Sequence, residues 1–194
     1  MRAPHDLPPI DPSCCTGRNR RDGGGKGAQV AMALTQADIE IINAYRAWIE
    51  RRVAESGYYG PCERHDRSDG STLLSRFDAG GRIWLEVGLR PFIPQVRTAI
   101  VTDDRWKSEE LEEAIESTGD TMSEFLEAGF DEADLDWREP PVEHYRDGGK
   151  YFYFATPLEL SSLSDLTRDD VRTKTFKMLE GYRIAFGPSL TRRS

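Results

Sequence analysis

The chain has 194 residues, 38% hydrophobic and 31% charged, so one domain with or without a tail fits the usual ~100–200 residues per domain and two full domains do not. With 26 Lys and Arg against 34 Asp and Glu the net charge is −8, a field that repels phosphate and disfavours a nucleic-acid partner on most of the surface. Cys14 and Cys15 are adjacent and Cys62 is alone, which argues for a reducing, cytoplasmic setting over a disulfide scaffold; no run approaches the ~18 apolar residues that would place the chain in a membrane.

Residues 1–31 carry Gly and Pro in quantity, scattered charge and no apolar periodicity, a composition that does not repay the entropy of ordering. A disordered tail over 1–33 is expected, with a single domain over 34–190 and a short C-terminal tail over 191–194. Nothing in the first residues has the apolar stretch of a signal peptide. Gly23 to Gly27 mimics a phosphate loop, but Lys26 is not followed by Ser or Thr and no strand precedes it. Met32 stands directly before the first helix signal, which makes it a second candidate for the true start.

Thr35-Gln36-Ala37-Asp38 reads as a capping box with Asp in the last place. A helix follows over Gln36–Ser56, with Ile41, Ile42, Tyr45, Trp48, Ile49 and Val53 on one face and Gly57 as the stop. The segment from Gly60 to Gly70 is turn-rich and polar. Alternation then predicts a hairpin: strand Thr72–Phe77, a turn through Gly80-Gly81, and strand Arg82–Leu89 with Ile83, Leu85, Val87 and Leu89 on one face and Arg82, Trp84 and Glu86 on the other. Pro91 and Pro94 bracket a loop, and the β-branched run Val96–Thr102 is a third strand.

From Asp103 to Glu139 there are 15 acidic residues against Arg105, Lys107 and Arg138. Leu111, Ala114, Ile115, Met122, Phe125 and Leu126 run a helical stripe through this acidic stretch, with Gly119 as a break or kink. A second hairpin joins Val142–Arg146 to Lys150–Thr156 across Asp147-Gly148-Gly149. Thr167 to Asp170 reads as a second Thr cap, opening a last helix marked by Val171, Met178, Leu179, Tyr182 and Phe186 and ended by Gly187-Pro188. The expected fold is α+β in the order α-β-β-β-α-β-β-α: an antiparallel sheet with helices packed on it, because grouped strands favour hairpin pairing over crossovers.

Chemistry is sparse. Cys62, His65, Asp66 and Asp69 are the best metal candidates, since thiolate, imidazole and carboxylate all ligate, but one Cys and one His fall short of a zinc set. His144 has no nucleophile at diagnostic spacing, and Asp131 to Asp136 lacks the Gly and terminal Glu of a calcium loop. No nucleotide, Walker or nucleophile-elbow motif is present and nothing implies a cofactor.

The hairpin leading into Arg90-Pro91-Phe92-Ile93-Pro94, the helical stretch from Ser108 to Phe130, and the ending from Lys150 through Leu158, Leu166-Thr167, Tyr182 and Pro188 together resemble the bacterial YbjN-like family of sensory transduction regulators, over about residues 35–190. The resemblance implies the fold shared with type III secretion chaperones and brings no catalytic motif with it. Two functions are weighed: a non-enzymatic, chaperone-like or regulatory module binding a protein partner or a second copy through a sheet face and the acidic helix, and a small-molecule-binding or metal-dependent enzyme with a site assembled from scattered residues. An open apolar patch with a polar rim would mark the first, a deep pocket with perturbed ionisable groups the second. Alternation puts Trp84 on the face opposite Ile83, Leu85 and Val87, with either Phe152/Phe154 or Tyr151/Tyr153 beside it; Trp84, Phe152 and Phe154 are the partner-binding residues expected here.

Overall fold

The computed structural model describes residues 33–147 and 151–190. The expected tail, apart from Ala33, lies outside these residues, as do the turn positions 148–150 and residues 191–194. The elements are α1 (Gln36–Ser56), β1 (Cys62–Arg64), β2 (Leu73–Gly80), β3 (Ile83–Arg90), β4 (Gln95–Thr102), α2 (Arg105–Glu116), α3 (Met122–Glu132), β5 (Glu143–Asp147), β6 (Tyr151–Glu159), a 3₁₀ turn (Leu163–Thr167), α4 (Asp169–Ala185) and a final turn of helix, α5 (Gly187–Leu190). The strands form one antiparallel sheet in the order β1-β2-β3-β4-β6-β5, so the protein is α+β. Among the described residues no helix is long and apolar enough to cross a membrane.

Local chemistry sets the ends of α1. Thr35 Oγ1 accepts from the Asp38 amide at 3.2 Å, and Asp38 Oδ2 accepts from the Thr35 amide at 3.0 Å, so two amides that the helix leaves without partners are satisfied. Gly57 closes the helix in the left-handed region at φ 72°, a conformation that costs it no Cβ clash. Between the caps, Ile42, Tyr45, Ile49 and Val53 are buried, each worth about 1.5–3 kcal/mol for side chains of this size. They meet Phe77, Ile83, Leu85, Val87 and Leu89 from the β2–β3 hairpin, Val96 and Ile100 from β4, Phe154 from β6, Phe125, Leu126 and Phe130 from α3, and Met178, Leu179 and Tyr182 from α4 in one cluster. Two tyrosine hydroxyls inside it are paired: Tyr45 donates to Thr175 Oγ1 at 3.0 Å, and the Tyr182 hydroxyl lies 2.9 Å from Thr156 Oγ1; Thr98 Oγ1 is buried with no hydrogen-bond partner among the described residues.

A second, small cluster of Ala99, Val101 and Ala155, with Tyr153 against it, contains no helical residue. Among the described residues the sheet therefore has a helix-covered face and a helix-free face, and successive residues of each strand alternate between them.

Three expectations need correction. The polar segment after α1 contributes β1, three exposed residues that pair with β2; a strand held by ladder bonds and the Arg64–Glu50 ion pair leaves no hydrophobic alternation to read. The acidic stretch, a single helix in the expected order, holds two; they part at Gly119, the expected break, where φ is 77°, and α3 starts with a capping box of its own, Thr121 with Glu124. Arg46, four residues after Ile42 and three before Ile49 on the apolar face of α1, is buried at 5% exposure. Thr167 does not cap α4: its hydroxyl donates back to the Ser164 carbonyl at 2.8 Å, within the 3₁₀ turn, and the N-cap position belongs to Arg168 without a side-chain bond.

Candidate functional site

Directly opposed residues on neighbouring strands share a face, so the register spells out the helix-free side in rows. One row runs Arg76, Glu86, Ala99, Ala155, Glu143; the next runs Leu74, Gly88, Arg97, Pro157; a third holds Trp84, Val101 and Tyr153. Beyond β1 the chain keeps pairing with β2, the His65 amide donating to Leu74 O and the Arg67 amide to Thr72 O, both at 2.9 Å. These bonds set His65 beside Leu74 and Arg67 beside Thr72.

Gly88 is the small residue of the second row, with long side chains on the strands around it. Gly88 leaves a trough between Leu74 and Arg97, and its walls include His65, Arg67, Arg76, Arg90, Arg97 and Tyr153, around an open cleft of about 460 Å³. Four arginines and a single carboxylate, Glu86, line it, in a chain whose net charge is −8.

The arginines are not equivalent. Arg76 is committed: its Nε and Nη2 both lie 2.7 Å from Glu86 Oε1, and its guanidinium sits 5.0 Å from the centroid of the Trp84 ring. Arg97 donates to Gln95 Oε1 at 2.8 Å and pairs with Glu143 at 2.9 Å. Arg90 reaches only an amide oxygen, Gln95 Oε1, at 3.2 Å, and that amide is itself bonded to Glu159. Among the described residues neither Arg67 nor Arg90 has a carboxylate within 4.0 Å. Glu86 is 2% exposed; burial pushes its carboxyl above the usual range, and the Arg76 guanidinium, with a smaller contribution from His65, only partly offsets this.

Trp84 lies on the helix-free face as the alternation requires, half-buried beneath Arg76, and its aromatic companion there is Tyr153. Phe154 is the correction. It pairs with Ile100 in register, is 1% exposed, and packs in the helix-side core, 5.8 Å from the Phe186 ring centroid and stacked on His144 at 4.4 Å. It is therefore no surface anchor. Phe152 lies opposite Thr102, and its side chain falls outside the described residues.

The metal candidates are not brought together. Asp66 takes a two-point ion pair from Arg46, at 2.8 and 2.9 Å, and the Leu74 amide at 2.9 Å. His65 contacts Glu63 at 3.1 Å, Asp69 accepts from the Ser71 amide and hydroxyl in a local turn, and Cys62 is exposed. Among the described residues no three His, Cys, Asp or Glu side chains converge as a metal site. The cleft differs from both patterns expected of a binder and an enzyme, being open like the first yet charged where an apolar patch was expected. Its arginines were visible in the sequence only as polar alternates of strands. Arg90 belonged to a proline loop and Arg67 to a turn, and only their pairing across β2 and β3 gathers them. Comparison of the chain with protein-family models, with curated proteins and with solved structures found no match.

Proposed function

We propose that the protein is a non-enzymatic interaction module, chaperone-like or regulatory in the manner of the YbjN-like family and the type III secretion chaperone fold it resembles, and that it binds a protein partner on the helix-free face of the sheet. One observation carries this reading: an acidic chain gathers four arginines, with Trp84 and Tyr153, on the sheet face that carries no helix among the described residues. Arginine and aromatic side chains are the types enriched at energetic centres of interfaces. The acidic α2 adds a second surface of opposite sign, where Trp106 is 72% exposed beside the exposed carboxylates of Glu109, Glu113 and Glu116.

The test is a comparative capture from native cells. Wild-type chain, Arg90→Glu on the sheet face, and Arg105→Glu on α2 serve as baits, each checked for an unchanged melting midpoint. A partner held by wild type and lost with Arg90→Glu supports the sheet face. A partner profile identical for all three baits removes it, and loss with Arg105→Glu alone moves the interface to α2.

A further inference from the structure

We infer that the cleft on the helix-free face receives an extended acidic peptide segment, its carboxylates held by Arg67 and Arg90 and its backbone passing over Gly88. This rests on the reading of that face as a protein-binding surface and names what it recognises. Charge comes first. Arg76 and Arg97 are already neutralised by Glu86 and Glu143, whereas Arg67 and Arg90, with no carboxylate within 4.0 Å among the described residues, bring two further cations to the same trough. A guanidinium fork matches a carboxylate in two-point geometry, so such positions select acidic side chains.

Gly88 supplies the second observation. A glycine inside a strand weakens it and commonly marks close approach by a ligand or another backbone. Here it is in β3, buried, with an ordinary negative-φ backbone, and an added Cβ would meet only Leu74 Cδ1, at 3.6 Å. Neither backbone strain nor crowding within the protein demands glycine at this position. The space above it is cleft.

Dimensions favour a chain segment over a single small anion. The cleft extends from Arg67, on the continuation of β1, across β2, β3 and β4 to Tyr153 on β6. Four interstrand spacings of ~4.8 Å make about 19 Å, the length of about six extended residues at ~3.3 Å each. Glu86, Ser71 and Thr72 in the lining also offer polar partners to peptide groups. Single-stranded nucleic acid fits less well, because its binders present stacking platforms, and Trp84 is already stacked under Arg76.

Calorimetric titration of the full chain with a Glu-rich octapeptide, its Gln counterpart, a single-stranded oligonucleotide and inorganic phosphate tests the inference. The Glu peptide should bind about tenfold or more tightly than the Gln peptide, with affinity falling as salt rises. Arg67→Gln and Arg90→Gln should each weaken it about fivefold. Gly88→Val should fill the trough and abolish binding while the melting midpoint holds or rises, since β-branched residues suit strands; Gly88→Ser serves if the valine variant does not fold. Equal affinity for the two peptides overturns the acidic specificity and leaves the protein-binding reading standing. Tighter binding of oligonucleotide or phosphate than of the Glu peptide, or no binding by either peptide, overturns the inference. Undiminished binding by a folded Gly88 variant removes the segment from this cleft.

Discussion

Gly129 of α3 and Gly181 of α4 face each other across the helix pair so closely that a Cβ on Gly129 would stand 2.5 Å from the Gly181 carbonyl oxygen. A Cβ on Gly181 would run into the Phe130 ring. Phe130 is itself fully buried and tilted on Tyr182 at 6.1 Å, so the ring has little room to yield. Alanine is the better helix former by about 0.8–1 kcal/mol, and overpacking costs about 1–3 kcal/mol. Gly181→Ala should therefore lower the melting midpoint despite its gain in propensity. A midpoint equal to or above wild type would show that the two helices are free to separate.

The helix caps divide the threonines into two groups. Thr35 and Thr121 each complete a capping box, with Asp38 and Glu124 as partners, and replacement by Ala should cost about 0.5–2 kcal/mol at either position. Thr167 makes no such bond to α4, and Thr167→Ala should cost less than both. Denaturant melts of the three variants check the order. A Thr167 loss equal to that of Thr35 would mean that its bond to Ser164 matters as much as a cap.

What the sequence disclosed follows from how local each signal is. The ends of α1 were legible because Thr35, Asp38 and Gly57 act within a turn of the chain. Placement of Trp84 opposite Leu85 was legible because strand alternation has a fixed period. Phe154 was not, since Tyr151 to Phe154 is aromatic in every position and only pairing with Ile100 decides which set meets the helices. β1 and the arginine cleft were hidden for the same reason, as both arise from pairing between segments. Arg46 shares the apolar face of α1 with Ile42 and Ile49, but nothing local announced its buried ion pair, because its partners Asp66 and Ser75 lie 20 and 29 residues away.

That Arg46 network makes the fold sensitive to acid. For Asp66 burial acts upward, but the bonds from Arg46 and the Leu74 amide and the nearby guanidinium charges outweigh it and hold the carboxyl below its usual range. Glu50 follows the same pattern through Arg64, Ser75 and Arg46. Depressed folded-state values give stability that is complete above the unfolded values, about 4, and lost as pH falls below them through the folded ones. Asp66→Asn should thus melt below wild type at pH 7, with the gap shrinking as pH falls below about 4. A gap constant from pH 7 to pH 3 would show that the pair contributes nothing through charge.

Glu86 has the opposite sign. It sits between Arg76 and Ala99 on the helix-free face at 2% exposure, and burial raises its carboxyl more than Arg76 lowers it. The folded state then holds the proton more tightly than the unfolded chain does, so stability falls as pH rises from about 4.5, the unfolded value, through the raised folded one. Buried ion pairs are often no better than a neutral replacement because desolvation offsets their attraction. Glu86→Gln keeps an acceptor oxygen for Arg76, which also retains its seat over Trp84. The variant should melt at or above wild type at pH 7 and match it near pH 4. A variant clearly less stable than wild type at pH 7 would show that the pair with Arg76 outweighs the burial of its charge. If the expected order holds, the carboxylate is kept at a cost in stability, which places its value in orienting Arg76 along the wall of the cleft; Gln in its place should then leave the melt intact while altering affinity for the acidic peptide.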